Sequence, residues 1–256
     1  MASKKKRTIV GYPLTPDILG ELGALGPISA THFSPAGNWT NVYRIWACHG
    51  YRESGNEDKG TLKIERLPSS SEGTFTLKVT QKINNDRDLV HGLDAQIICR
   101  NDTLATPVQW QIQSKFFDPT GVTVRDLNTE QSGRIRGNTV EIVTKGNTRQ
   151  YKISRPLTGD WCLLEAVQRM PWKNAAPIEM DILKEMALLQ KDHQVVYGKK
   201  GTFTIGGKPV DLYHFQQLGR GMLPYDYWLD SHHRLQVFVT LSIAYIRDEL
   251  AEQEMA

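Results

Sequence analysis

An alternation of apolar and polar residues with period two governs most of this chain. In TLKIERL, residues 61–67, Leu62 and Ile64 fall on one face, while Lys63 and Glu65 fall on the other. The same alternation predicts strands at 41–53, 74–83, 93–100, 108–116, 133–145 and 149–155. Segments typical of turns, such as SSSEG and DPTG, separate these strands. The pattern predicts a meander of antiparallel strands with one buried face and one polar face.

The period changes at two places, and both indicate helices. Asp160 is suited to cap a helix that begins at Trp161, and Pro171 would end it at Met170. In the segment 177–192, apolar residues recur at the spacing of a helix, among them Ile178, Ile182, Met186 and Leu189. We therefore expect a helical insert near 160–192.

The order of these segments predicts one domain of the α+β class, mostly β. We expect a curved antiparallel sheet or an incomplete barrel, with two or three helices packed on one face. Residues 1–38 are rich in Gly, Pro and Ala and are predicted to be an N-terminal arm, with a short helix capped by Thr15 and started by Pro16. The β-rich domain is expected at 39–246, followed by a polar, fraying C-terminal tail at 247–256.

Charge and hydropathy exclude several classes of function. The net charge is +3, and four positive charges lie together in KKKR, residues 4–7, so the rest of the chain is near neutral and nucleic-acid binding is not indicated. No apolar run is long enough for a membrane span. Pro13 and Pro16 interrupt the stretch after KKKR, which argues against a secretory signal. The compartment stays open: periplasmic if a signal was removed, otherwise cytoplasmic.

The number of cysteines does not predict a disulfide framework. There are three, Cys48, Cys99 and Cys162, and a small odd number argues against a disulfide-rich scaffold. A single bridge, for example between Cys48 and Cys99, is compatible with the sequence.

The stretch YDYWLDSHHRLQVFV, residues 225–239, is dense in reactive side chains. Asp230 and Ser231 favour a turn because their side chains bond nearby backbone amides. The adjacent His232 and His233 would point to opposite faces of an extended chain, so they are poorly placed to share a metal. We interpret DSHH as the tip of a hairpin and predict no metal site.

CHGYRES, residues 48–54, is a stronger candidate for chemistry. His49 and Tyr51 share a strand face, and Arg52 lies opposite. A histidine can act as a base near neutral pH, a tyrosine as an acid, and an arginine as an anchor for an anion. The pair His91-Gly92 repeats His49-Gly50, so the two histidines could converge at one end of the sheet.

These observations lead to a predicted site in the hollow of the sheet. The predicted catalytic residues are His49, Tyr51, His91 and Tyr227, and the predicted ligand-binding residues are Arg52, Trp110, His214 and Tyr225. No cofactor is predicted. Aromatic and histidine side chains around a hollow suit a small-molecule, lipid-like or glycan ligand. The alternative is that these are ordinary polar residues on separate faces.

The C-terminal third carries a family resemblance. The segment GTFTIGGKPVDLYHFQQLG, followed by LPYDYWLDSHHRLQVFV with its triplet Trp228-Leu229-Asp230, resembles the closing strands of a bacterial family of unknown function. That family is similar to the outer-membrane lipoprotein carriers. The resemblance covers about residues 40–245 and implies an open antiparallel barrel whose hollow is lined by helices. It carries over no catalytic residue, and this chain differs from the family in its HH tip and in showing no lipoprotein signal.

Three functions are compatible with the sequence. The first is a carrier that holds an apolar or amphiphilic ligand in the hollow. The second is a metal-independent acid–base enzyme, a lyase, isomerase or hydrolase, that acts on a glycan or small polar substrate. The third is partner binding along an edge strand. The sequence contains no G-x-S-x-G, Walker, dinucleotide, C-x-x-C or H-E-x-x-H motif, so no motif favours a particular reaction.

Overall fold

The computed structural model describes residues 14–28, 32–47, 57–84, 89–172, 176–240 and 243–254. In this part of the chain there are three α-helices, α1 (Pro16–Glu21), α2 (Asp160–Ala166) and α3 (Glu249–Glu254). The first eight strands are β1 (Trp39–Ala47), β2 (Glu57–Pro68), β3 (Thr74–Asn84), β4 (Val90–Arg100), β5 (Pro107–Phe117), β6 (Thr129–Arg136), β7 (Thr139–Thr144) and β8 (Asn147–Lys152). The others are β9 (Leu157–Gly159), β10 (Ile178–Lys184), β11 (Leu188–Ile205), β12 (Lys208–Gly219), β13 (Tyr225–Leu229), β14 (Leu235–Val239) and β15 (Ile243–Arg247). Short 3-10 turns occur at Arg125–Leu127 and Val167–Arg169.

All of these strands belong to one open sheet. Its order is β8-β7-β6-β5-β4-β3-β2-β1-β15-β14-β13-β12-β11-β10-β9, so two meanders meet where β1 pairs with β15. Neighbouring strands are antiparallel except β9 and β10, which are parallel. The two edges, β8 and β9, are not hydrogen-bonded to each other as a ladder. The predicted mostly-β fold with an open antiparallel sheet is confirmed.

The sheet buries apolar residues on both faces because its strands alternate. On β1, Tyr43 and Ile45 point into one cluster, and Trp46 points into another. On β13, Tyr227 belongs to the first cluster and Trp228 to the second. We name the side of the larger cluster the hollow face and the other side the packed face. Helix α2 lies on the hollow face and α1 on the packed face, so the helices are divided between the two sides.

Helix α1 seals the packed face. Thr15 caps it, accepting a hydrogen bond from the Ile18 amide, and Pro16 starts its first turn, as the sequence predicts. Leu19 is fully buried, and it packs in the same cluster as Trp46 and Trp228. The part of the predicted arm that the structure describes is therefore docked on the domain.

Helix α2 begins at Asp160 and runs into the 3-10 turn that ends before Met170, close to the predicted limits. The predicted cap is wrong, because Gly159 is the N-cap and Asp160 is the first helical residue. A buried ion pair holds it to the sheet: Glu165 Oε1 accepts from Arg66 Nε on β2 at 2.9 Å and from Arg169 Nε at 2.7 Å. Glu165 is fully buried.

The predicted helix at 177–192 is wrong. The segment forms β10, a tight turn, and the start of β11. On β10, Met180, Asp181, Ile182 and Leu183 are all buried, because this strand is covered on both faces. A strand covered on both faces loses its polar alternation, and its apolar residues can then match a helical spacing by coincidence.

The polar tail is also more ordered than predicted. Residues Glu249–Glu254 form α3, and Glu252 bonds Arg247 at 2.7 Å and Arg234 at 2.8 Å. The Val42 amide of β1 donates to Glu252 at 3.1 Å. Fraying of 249–254 is thus opposed by a network of charged contacts. Among the described residues, no helix has both the length and the apolar character needed to cross a bilayer.

Candidate functional site

A cavity of about 510 Å³ lies on the hollow face. One wall comes from strands β2 to β6, and the facing wall comes from β12 to β15. Helix α2 and the turn between β10 and β11 cover it. A volume of this size falls within the range of about 300–1,000 Å³ that is usual for small-molecule sites. We call this cavity the hollow.

The hollow has apolar walls and a polar end. The apolar lining is formed by Leu62, Ile83, Leu93, Ile112, Leu164 and Phe238. Charged and hydrogen-bonding side chains gather where α2 begins and the β10–β11 turn approaches it, with Asp160, Lys184 and Glu185 among them. A lining of this kind suits a ligand with an apolar body and a polar group.

An ion pair marks the polar end. Lys184 Nζ lies 3.4 Å from Asp160 Oδ2, which also accepts the Glu185 backbone N–H at 2.7 Å. Burial raises the pKa of Asp160, and the nearby lysine only partly opposes this. Burial lowers the pKa of Lys184, but attraction to Asp160 and Tyr225 outweighs it, so the pKa of Lys184 rises. The lysine also lies 5.1 Å from the centre of the Tyr225 ring, a cation–π contact.

The turn that carries Lys184 has an unusual backbone. Glu185 and Met186 have φ values of 50° and 54°, and the Ala187 amide donates to the Lys184 carbonyl at 3.0 Å. Two positive φ values at the centre of a tight turn define type I′, which favours Asn and Gly rather than Glu and Met. The turn therefore carries strain, which surrounding contacts must offset.

Those contacts come from the opposite end of the sheet. The Gln131 side chain on β6 donates to the Met186 carbonyl at 2.9 Å, and the Tyr151 hydroxyl on β8 donates to the Ala187 carbonyl at 3.3 Å. The Met186 side chain is fully buried. Side-chain hydrogen bonds thus link the first meander to the β10–β11 turn beside the hollow.

Aromatic rings form part of the facing wall. Phe238 stacks with Tyr227 at 4.8 Å and with Tyr245 at 5.2 Å between ring centres, and Tyr225 meets it edge-on at 6.0 Å. The Tyr227 hydroxyl donates to Gln217 Oε1 at 2.7 Å. Burial raises the pKa of Tyr227 well above its ordinary value and that of Tyr245 to about 12. Both phenols therefore keep their protons at neutral pH.

His91 lies on the first wall. Its ring stacks on Phe116 at 4.5 Å, and its Nε2 lies within hydrogen-bond distance, 2.7 Å, of Ser114 Oγ. Burial lowers the pKa of His91, while the charge of Glu185 opposes this. The imidazole is therefore mainly neutral near pH 7.

The structure brings together three of the eight predicted site residues: His91, Tyr225 and Tyr227 all line the hollow. Trp110 does not. It is buried in the core, with its ring against Gly133. His214 lies on the packed face, stacked on Trp228 at 4.1 Å and bonded to Asp226 at 2.7 Å. The other three predicted residues, His49, Tyr51 and Arg52, lie outside the described residues.

Sequence reasoning missed the charged end of the hollow. From sequence, Asp160 is interpreted as a helix cap. Lys184 and Glu185 are interpreted as residues on the outer side of the helix predicted at 177–192. Their meeting depends on the turn after β10, which the helical interpretation of 177–192 excludes. No motif in the sequence marks these three residues as a group.

The predicted hairpin tip is confirmed. Strand β13 ends at Leu229 and β14 begins at Leu235. Asp230 Oδ1 accepts the amides of His232 at 2.8 Å and Arg234 at 3.0 Å. His233 stacks on Trp172 with ring centres 3.5 Å apart. Within the described ranges, no group of three or more His, Cys, Asp or Glu residues is arranged to hold a metal ion.

Comparison with known proteins yields a likeness of fold. No family model matches the sequence, and neither does any curated protein. A solved structure that is similar is the β-barrel-like protein of a domain of unknown function, DUF1849, from Brucella abortus. The TM-score is 0.51 at 10% sequence identity, covering 82% of this chain and 94% of the other. The likeness supports a barrel-like fold.

Proposed function

We propose that this protein binds or carries a small amphiphilic ligand in the hollow. The observation that carries the proposal is the cavity of about 510 Å³ bordered by sheet, helix and turn. Its apolar walls favour an alkyl or aromatic body, since burial of apolar surface releases about 25 cal/mol per Å². The sequence resemblance to a bacterial family that is similar to the lipoprotein carriers favours the same class of ligand.

The polar end gives the ligand an orientation. Lys184 and Asp160 are paired and hold opposite charges, so they can bond a polar group without leaving a buried charge unpaired. The body of the ligand would then extend along Leu93 and Ile112 on the first wall.

The test is native mass spectrometry with a panel of single-chain lipids below their aggregation concentrations, supported by quenching of tryptophan fluorescence. The natural protein should bind one ligand saturably. Leu93→Trp, which fills the hollow, should weaken binding about tenfold or more. Val122→Trp, at a position 62% exposed and outside the hollow, should bind as the natural protein does. Absence of saturable binding across the panel would show that the proposal is wrong.

The hollow also supports a second candidate, a metal-independent acid–base enzyme acting on a glycan or small polar substrate. One observation favours it: burial moves the pKa of His91 down and that of Asp160 up. Environments that shift the pKa values of two groups in opposite directions suit one group, here His91, for the role of base and the other, here Asp160, for the role of acid. In this proposal His91 is the base, and Tyr227, which keeps its proton, orients the substrate.

A substrate screen with the natural protein tests this second candidate. His91→Ala should reduce turnover by about 100-fold or more and leave the melting temperature nearly unchanged. His232→Ala, on the hairpin tip away from the hollow, is the matched control and should retain activity. Equal activity of the two variants would exclude His91 as the base.

A further inference from the structure

We propose that Cys99 and Cys162 are a disulfide-forming site that ties α2 to the sheet. Cys99 lies on β4 and Cys162 on α2, and their Sγ atoms are 3.7 Å apart. Both residues are fully buried. The pairing differs from the Cys48–Cys99 bridge that the sequence leaves open; Cys48 lies outside the described residues.

The geometry is close to that of a bridge. A disulfide holds its sulfur atoms about 2.05 Å apart, so the two must approach by less than 2 Å to form one. The two cysteines belong to the same buried cluster, so the elements that carry them already pack together. The residues are 63 positions apart in the chain, so the bridge would close a long loop of the unfolded state.

The chemistry is thiol–disulfide exchange with a small disulfide such as oxidised glutathione. One cysteine thiolate attacks the oxidant and releases one glutathione thiol, which leaves a mixed disulfide on the protein. The second thiolate attacks that protein sulfur and releases the second glutathione thiol. The two cysteines lose two protons and two electrons in total, and the oxidant gains the electrons.

The fold indicates when this exchange happens. In the finished structure both thiols are shielded, and burial raises the pKa of Cys99, which reduces its thiolate. Exchange is therefore fast while α2 is undocked, during folding, and slow afterwards. Once formed, the bridge is protected from reductants by the same burial.

The bridge would fix one cover of the hollow. Helix α2 contributes Asp160, Trp161 and Leu164 to the lining, and Cys162 lies between them. A covalent link at this position limits how far the helix can move from β4. This inference stands on the cysteine geometry alone and does not depend on the ligand.

The experiment is to unfold and reduce the protein, refold it with reduced and oxidised glutathione, alkylate the remaining thiols and map the peptides by mass spectrometry. A Cys99–Cys162 linked peptide and an alkylated Cys48 are expected. The oxidised protein should melt on the order of 10 °C above its reduced form. Cys48→Ser should still form the Cys99–Cys162 bridge and still melt higher when oxidised. Cys99→Ala should melt at the same temperature in oxidised and reduced form.

Two results would overturn the inference. One is three alkylated cysteines after oxidative refolding, and the other is a bridge that contains Cys48. The peptide map of the natural sequence decides between these outcomes, even if Cys99→Ala fails to fold.

Discussion

The two faces of the sheet are covered by helices of nearly equal length, yet one is filled and the other is hollow. On the packed face, α1 inserts Leu19, and residues that flank the helix, such as Leu14 and Leu25, are also buried. On the hollow face, α2 is also buried along most of its length, but it borders a cavity of about 510 Å³ that no side chain fills.

The difference lies in what holds each helix. Helix α1 is attached by apolar burial, which brings surfaces into close contact over their whole area. Helix α2 also buries apolar residues, among them Leu163 and Ala166, but the buried charge of Glu165 holds it in addition, and its first turn presents Asp160 to the cavity. The directed bonds of Glu165 fix one end of this helix to β2, while its other end borders the cavity.

The largest expected effect breaks that anchor. Glu165→Gln removes the negative charge between Arg66 and Arg169 and leaves both guanidinium groups in a buried setting without their anion. The free energy of unfolding should fall by about 3–5 kcal/mol, measured by urea denaturation. The control is Glu141→Gln, which breaks a more exposed pair with Arg134 and should cost about 1 kcal/mol or less. Equal losses would show that charge does not anchor α2.

A second pair of variants compares filled and hollow packing directly. Leu19→Ala on α1 should destabilise the protein by about 3 kcal/mol, because all sides of this leucine contact other atoms. Leu164→Ala on α2 should cost about half as much, because part of its surface faces the hollow. Calorimetry or urea unfolding measures both. A larger loss for Leu164 would mean that the hollow face is packed as tightly as the other.

The smallest expected effect concerns pH. Burial holds the pKa of His91 below its ordinary value of about 6.5, so between the two values the unfolded chain binds a proton that the folded chain does not. Stability should therefore be complete above the ordinary pKa and fall as the pH decreases through the lower one. His91→Gln should make the melting temperature depend less steeply on pH. Some dependence should remain, since burial lowers the pKa of His193 and His233 as well. An unchanged dependence of the melting temperature on pH would contradict a buried, neutral His91.

Most of the fold could be predicted from sequence because its signals are local. The alternation at 61–67, the Thr15–Pro16 helix start and the Asp230 turn each depend on residues a few positions apart. The segment 177–192 could not be predicted in this way. Its strand is buried on both faces by residues distant in the chain, and its turn uses Glu185 and Met186 where a sequence signal would need Asn and Gly.

The candidate site shows the same division. His91, Tyr225 and Tyr227 could be selected by residue type and face, and the strand order then brings them to one cavity. The same criteria selected Trp110, which packs in the core of the hollow face, and His214, which lies on the packed face, because sequence gives the alternation of a strand but not which face borders a cavity. Asp160 and Lys184 could not be predicted as site residues, because their proximity depends on the parallel pairing of β9 with β10.

The pairing of β1 with β15 at the middle of the sheet also bears on how the protein is made. A ribosome releases β1 to β8 first, and that meander can form while the chain is still growing. Strand β1 then keeps one hydrogen-bonding edge open until nearly two hundred further residues have been synthesised. During that interval the exposed edge of β1 could pair with a second nascent chain, which makes β15 both the last strand to arrive and the one that closes this risk.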